Sequence, residues 1–173
     1  MQSAARTHAP EAPGEQTAQQ ATEHGNASAE KIEKGPLHLD KPLERILHVD
    51  DDADIQDITR LALETIGGFA VESCVTGEEA LARAPLFKPD LLLMDVLLPK
   101  LDGLDLYRAL TALPELQGTP VVFMTSAADT IDLGRYRQIG AIGIITKPFD
   151  FTTLGDQVRD VWAHAQARQA EGR

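Results

Sequence analysis

Asp50, Asp51 and Asp52 follow directly on the apolar run Ile46-Leu47-His48-Val49, and Asp95 follows directly on Leu91-Leu92-Leu93-Met94. Two further apolar runs end in Thr125-Ser126 and in Lys147-Pro148. An aspartate after a strand is often only the N-cap of the next helix, a role that suits Asp52 or Asp54. Asp95 does not suit it, because Val96-Leu97-Leu98 come next and an ionised carboxylate among apolar neighbours needs a partner. Thr125 alone could merely end a strand and Lys147 alone could merely be solvated; it is their joint appearance at strand ends that points to a site. Asp50, Asp51 and Asp95 on one rim would crowd negative charge and raise their pKa values unless a cation compensates. Mg²⁺ suits such a set, since it takes few carboxylates, keeps several waters and shares its remaining positions with phosphate. Lys147 adds an ammonium able to hold a phosphoryl oxygen, and no cluster of thiolates or histidines competes for zinc. A metal, a lysine and one accessible carboxylate describe a phosphoryl-accepting site, with Asp95 as nucleophile and an acyl phosphate as product.

The elements that must position these groups are legible as alternating periods. Ile46–Val49 reads as a buried strand, and Ile55, Ile58, Ala62 and Ile66 share one face of a helix that Gly67-Gly68 stops. Phe69–Cys74 is a second strand, and Thr76-Gly77-Glu78-Glu79 opens a second helix expected to run to about Ala84, before Pro85. Leu91–Met94 is continuous and apolar, as in a strand covered on both faces. A third helix is expected over Gly103–Leu113, a strand over Val121–Met124, a weaker helix over Thr130–Ile139 and a fifth strand over Ile142–Thr146. A last helix carries Leu154, Val158, Val161, Trp162 and Ala165 on one stripe. Strict βα alternation implies an α/β fold, a five-stranded parallel sheet flanked by five helices with right-handed crossovers. Ligands of such sheets sit at the carboxyl ends of the strands, where the acids, the hydroxyl and the lysine stand.

Composition narrows the function. The 173 residues carry 16 Lys+Arg against 27 Asp+Glu, a net charge of −11. That balance argues against a nucleic-acid clamp or an anionic-membrane binder, both of which need a basic face. The single cysteine excludes an internal disulfide. No apolar run is long enough to span a bilayer and the N-terminus lacks a secretion signal, so a cytoplasmic protein is expected. Residues 1–43 hold few large apolar side chains and read as a disordered tail, residues 44–166 as the folded domain and 167–173 as a C-terminal tail. Cys74, His48, His164 and Trp162 are expected to be packing residues rather than chemical groups.

Taken together, Ile46–Asp52, Asp90–Asp95, Leu98-Pro99-Lys100-Leu101-Asp102-Gly103, Val121–Ser126 and Gly140-Ala141 with Thr146-Lys147-Pro148-Phe149-Asp150 are similar to the receiver domain of bacterial two-component response regulators. The chain resembles that family over nearly all of Leu43–Ala165, with spacings of 44, 30 and 22 residues separating Asp51, Asp95, Thr125 and Lys147. The resemblance implies the flavodoxin-like (βα)5 receiver fold with strand order 2-1-3-4-5. It implies that Asp50, Asp51, Asp95 and the backbone carbonyl of Leu97 hold Mg²⁺, and that Asp95 accepts phosphate from a sensor histidine kinase or a histidine phosphotransfer protein. Thr125 would turn its hydroxyl onto the phosphoryl group, Lys147 would pair with it, and the Lys147–Pro148 bond would be cis. A downstream protein target would bind the face of the fourth helix, fifth strand and fifth helix. Ile144 stands where the family usually has Tyr or Phe, which implies a weaker switch or one carried by backbone shifts.

No helix-turn-helix or catalytic segment follows Ala165, so a stand-alone switch is expected, acting through protein contacts or as a relay, without direct binding to nucleic acid or membrane. A metal-dependent phosphatase or hydrolase on a similar sheet is the alternative. It needs an acid or base beside the nucleophile, often an Asp two residues on, where Leu97 stands. A nucleotide-binding module fits less well, since no glycine-rich loop follows the first strand. The resemblance also implies that the side chains two residues after Asp95 and two after Thr125 are the ones placed to orient a hydrolytic water; here these are Leu97 and Ala127, neither of which can do so, and slow self-dephosphorylation is expected.

Overall fold

The computed structural model describes residues 36–126, 136 and 138–172. Five strands, β1 (Arg45–Val49), β2 (Ala70–Cys74), β3 (Leu91–Asp95), β4 (Val121–Ser126) and β5 (Ala141–Lys147), form one sheet in the order β2-β1-β3-β4-β5. Every neighbouring pair is parallel. The sheet order and the α/β class agree with the sequence reading.

Among the described residues four α-helices flank it: α1 (Ala53–Leu61), α2 (Gly77–Phe87), α3 (Gly103–Thr111) and α4 (Leu154–Glu171). The helix expected over Thr130–Ile139 falls mostly outside the described residues, although Tyr136 and Gln138 are helical. Alternate strand residues serve the two faces, because successive side chains in a strand point oppositely. Leu47, Val49, Leu92, Met94 and Phe123 pack with Ala80, Ala84, Leu106 and Leu110 of α2 and α3. Ile46, Leu91, Leu93, Val122 and Met124 pack with Leu63, Leu154, Val158 and Trp162 on the opposite side. Burial on both faces is why the central strands are continuous apolar runs.

Several boundaries differ from the sequence expectation, each for a physical reason. The first helix continues past Leu61 as a π-helical turn over Ala62–Ile66, closed by the Gly67 N–H bonding the Ala62 carbonyl at 2.9 Å. The second helix does not stop before Pro85 but runs to Phe87, ending on left-handed Lys88. Pro85 lies in the final turn, where the lost N–H costs only one backbone bond. The third helix ends at Thr111, and a 3₁₀ turn over Pro114–Leu116 follows.

Ordered packing reaches beyond residues 44–166 at both ends, while residues 1–35 lie outside the described part. Leu39 is 3% exposed, and Leu37 and Leu43 pack against the same apolar cluster. The His38 N–H donates to the Gly118 carbonyl at 2.9 Å. Helix α4 extends to Glu171, through most of the expected C-terminal tail, and its Gln166 and Gln169 amides donate to the Leu39 and Leu37 carbonyls at 2.6 and 2.9 Å. The N-terminal strap and the helix end thus satisfy one another, which neither could do alone.

Asp90 anchors the strap to the sheet. Its carboxylate, with the side chain 7% exposed, accepts the Glu44 and Arg45 N–H groups at 3.0 and 2.8 Å and pairs with Lys41. Burial pushes its pKa up, but Lys41 and the two amides outweigh that and hold it below the usual carboxylate value. Its stabilising contribution is therefore complete above the unfolded-state pKa and is lost as pH falls through the folded one. Asp90→Ala strands two amide donors and is expected to cost about 2–4 kcal/mol, as charged hydrogen bonds of this kind do. Urea unfolding at neutral pH measures it, and a loss below about 1 kcal/mol would show that the strap is held by Leu39 instead.

Candidate functional site

Four of the five strand ends, those of β1, β3, β4 and β5, deliver their groups to a single rim. Asp50 follows β1 and is fully buried, whereas Asp51 is exposed. Asp52 caps α1, accepting the Asp54 and Ile55 N–H groups at 2.9 and 3.2 Å, so it is occupied structurally, as the sequence suggested. Asp95 ends β3, and its Oδ1 accepts the Leu97 N–H at 3.0 Å. Lys147 ends β5 and is joined to Pro148 by a cis peptide bond.

Lys147 ties the rim together. Its Nζ lies 2.6 Å from Asp50 Oδ2 and 2.5 Å from Asp95 Oδ2. The ammonium, from β5, therefore bridges the ends of the two neighbouring strands β1 and β3. Burial pushes the Lys147 pKa down, but hydrogen bonds and charge from Asp50 and Asp95 outweigh it and leave the ammonium above its ordinary value. Burial raises the Asp50 carboxyl, only partly offset by Lys147 and the Asp52 N–H, while the charge of Asp95 raises it further. Asp50, Asp51 and Asp95 each offer a carboxylate oxygen within 4.8 Å of the others.

That set fits a hard divalent cation. Opposed oxygens on Mg²⁺ lie about 4.2 Å apart, so small side-chain movements would bring the three into range, and the all-oxygen donors match its preference. Neighbouring groups do not compete. His48 is buried and held neutral, its pKa pulled down to about 3 by burial and by Lys147. The Cys74 thiol is pushed up to about 12 by burial and remains protonated.

Thr125 stands on the adjacent strand end, fully buried, with its hydroxyl donating to the Ser126 carbonyl at 3.3 Å. Its register partner is Thr146, one position before Lys147. The structure thus places Thr125 at the rim with its hydroxyl engaged locally, while Asp50, Asp95 and Lys147 are in direct contact. Leu97 is 61% exposed beside Asp95; Ala127 lies outside the described residues.

The loop after Asp95 is closed tightly. Leu97 and Asp102 pair across it, Asp102 caps α3 through the Leu104 N–H at 2.8 Å, and the Gly103 N–H donates to the Val96 carbonyl at 3.0 Å. A Cβ at position 103 would stand 2.5 Å from the Asp95 carbonyl oxygen, so glycine is what lets α3 begin this close to the end of β3.

Sequence reasoning missed Gln56. Its side-chain amide, in α1, donates to the Asp50 backbone carbonyl at 2.6 Å. A polar side chain within a turn of the helix start was the available signal, but its direction depends on how α1 leaves the sheet.

Comparison with known proteins converges on one family. Residues 46–159 match the model of the response regulator receiver domain. The chain is 38% identical over 116 residues to the transcriptional regulatory protein CseB of Streptomyces coelicolor, covering 67% of this chain and 48% of that protein. It is 36% identical over 121 residues to the DNA-binding response regulator MtrA of Mycobacterium tuberculosis, covering 70% of this chain and 51% of that one. The chain thus spans about half the length of the curated relatives it matches. Among solved structures, the chemotaxis response regulator CheY4 of Vibrio cholerae superposes with a TM-score of 0.62 at 28% identity, over 69% of this chain and 99% of that one. Sheet order, rim residues and these likenesses together show that the chain belongs to the response regulator receiver domain family.

Proposed function

We propose that Asp95 is the phosphoacceptor of this receiver domain and that its phosphorylation switches protein–protein contacts. The observation that carries the reading is the Lys147 bridge between Asp50 and Asp95, which fixes a nucleophilic carboxylate, a cation and a second acid in one place. A carboxylate oxygen of Asp95 attacks the phosphorus of a phosphohistidine on a sensor histidine kinase or histidine phosphotransfer protein. The P–O bond forms, the P–N bond breaks and the electron pair leaves with the imidazole nitrogen. Lys147 shifts its hydrogen bond from Asp95 Oδ2 to a phosphoryl oxygen, and the Thr125 hydroxyl leaves the Ser126 carbonyl for another. Asp50, Asp51, Asp95 and the Leu97 carbonyl would hold Mg²⁺, which would neutralise the charge gathering on the transferred group.

The exposed, apolar Leu97 beside Asp95 orients no water, which favours a long-lived acyl phosphate. Ile144, half-buried in β5, packs against the cluster in which the Phe123 ring lies 6.2 Å from Tyr107 and 5.0 Å from Tyr136. The downstream protein is read as docking on the face of the expected fourth helix, β5 and the last helix, α4. The net charge of −11 supports a protein partner over direct nucleic-acid binding. Among the described residues no helix is long and apolar enough to cross a membrane, and the cytoplasm is the compartment the reading assigns. The comparisons give the hydrolase alternative no support.

The test is incubation with Mg²⁺ and acetyl phosphate, followed by intact mass and peptide mapping. One phosphoryl group on Asp95 is expected, absent in EDTA. Donor turnover without labelled protein would overturn the reading.

A further inference from the structure

We propose that Gln56 is a positioning residue for the cation site, acting through the peptide that joins Asp50 to Asp51; this rests on the Mg²⁺ reading above. The three carboxylates are not held alike. Asp50 is fixed by the Asp52 N–H at 2.9 Å and by Lys147, and Asp95 by the Leu97 N–H and Lys147. Among the described residues, nothing bonds the exposed Asp51 carboxylate. Its placement therefore depends on its own backbone.

That backbone has left the sheet. Strand β1 ends at Val49, and the Asp50 N–H makes the last bond toward β2, to the Cys74 carbonyl at 3.2 Å. The Asp50 carbonyl points beyond the ladder and needs another donor. Gln56 supplies it from one turn into α1, at 2.6 Å, while its own N–H is tied to the Asp52 carbonyl at 2.9 Å. Only the NH₂ end of the amide can face a carbonyl, so the orientation of Gln56 is fixed by chemistry. Because the peptide is planar, holding the Asp50 carbonyl also holds the Asp51 nitrogen and limits where the Asp51 Cα can go. Gln56 thus aims an otherwise free carboxylate at the other two, the outer-shell role that ligand-supporting groups play in metal sites.

The experiment compares wild type, Gln56→Met and Asp51→Ala. Met is close to Gln in length and volume and removes the amide group, including the donor to Asp50. Mg²⁺ affinity is read by calorimetry and by Mg²⁺-dependent melting, and the metal-free melting point is read in EDTA. Gln56→Met is expected to weaken Mg²⁺ binding about 3- to 10-fold, the effect of one lost hydrogen bond, and so to lower the melting point further in Mg²⁺ than in EDTA, where only the bond itself is lost. The Mg²⁺ concentration that half-saturates phosphorylation by acetyl phosphate should rise by the same factor, and the rate at saturating Mg²⁺ should match wild type. Wild-type Mg²⁺ affinity in Gln56→Met, with Asp51→Ala defective, overturns the positioning role and leaves the cation reading standing. A melting point that falls in EDTA as much as in Mg²⁺ overturns it in favour of a purely structural bond. A wild-type protein indifferent to Mg²⁺ overturns the cation reading and this inference with it.

Discussion

Asp95→Asn is expected to end phosphoryl uptake while leaving the fold intact. An amide has the shape of the carboxylate without its nucleophilic charge, so labelling by acetyl phosphate should fall at least about a thousandfold, the scale on which loss of a nucleophile acts. The fold should survive because Lys147 keeps its bond to Asp50, and because the rim loses one of the negative charges that raise the Asp50 carboxyl. The metal-free melting point of the variant should therefore equal or exceed that of wild type, while its Mg²⁺ response weakens. Phosphoryl labelling, melting in EDTA and melting in Mg²⁺ give the three readings on one preparation. Undiminished labelling of the variant would move the acceptor to another residue.

Lys147→Met has the second largest expected effect, and its sign depends on the metal. Lys147 is the cation that bridges Asp50 and Asp95, with its side chain only 16% exposed. Removing it leaves a buried carboxylate without its partner, and breaking such a pair costs up to about 3–5 kcal/mol when fully buried. At this rim, where Asp95 is partly open to solvent, about 2–3 kcal/mol is expected in EDTA. With the competing ammonium gone, the acids bind a divalent cation more strongly, so the Mg²⁺-induced rise in melting point should be larger than in wild type.

The pH dependence in EDTA carries the same signature. In wild type the contribution of Lys147 is complete below its unfolded-state pKa and is lost as pH rises through the raised folded one. In the variant that alkaline loss disappears. The Asp50 carboxyl, already raised by burial, should rise further, so stability should fall as pH rises from the ordinary carboxylate range through its folded value. Urea unfolding across pH, with and without Mg²⁺, checks both parts. A variant as stable as wild type in EDTA would show that the rim tolerates its charges through solvent alone.

The candidate site residues were legible because they end strands, and strands buried on both faces announce themselves as apolar runs. Leu91–Met94 needs no knowledge of its neighbours to be read as central, and Asp95 is then at a carboxyl end by local sequence alone. The same holds for Asp50 after β1 and Lys147 at the end of β5, and parallel alternation brings those ends to one rim. Asp52 as a cap is equally local, since cap and capped amides lie within three residues.

What required the tertiary structure is what depends on separation and direction. Leu37 and Leu39 are sparse apolar residues in a polar stretch, and they become part of the core only because α4, more than 120 residues on, offers Gln166 and Gln169 to their carbonyls. Pro85 looked like a stop, and only the position of the helix end shows that one lost bond is tolerable there. Lys147 could have pointed to solvent, but the parallel order β1-β3-β4-β5 puts these strand ends on one rim, and its ammonium reaches two carboxylates there at once. Gln56 could be found only once the exit angle of α1 was known, because its amide reaches back to a carbonyl where the sheet ladder stops. Periodicity and residue type report what a segment buries and where it ends; which side chain meets which carbonyl is set by packing, which no local pattern encodes.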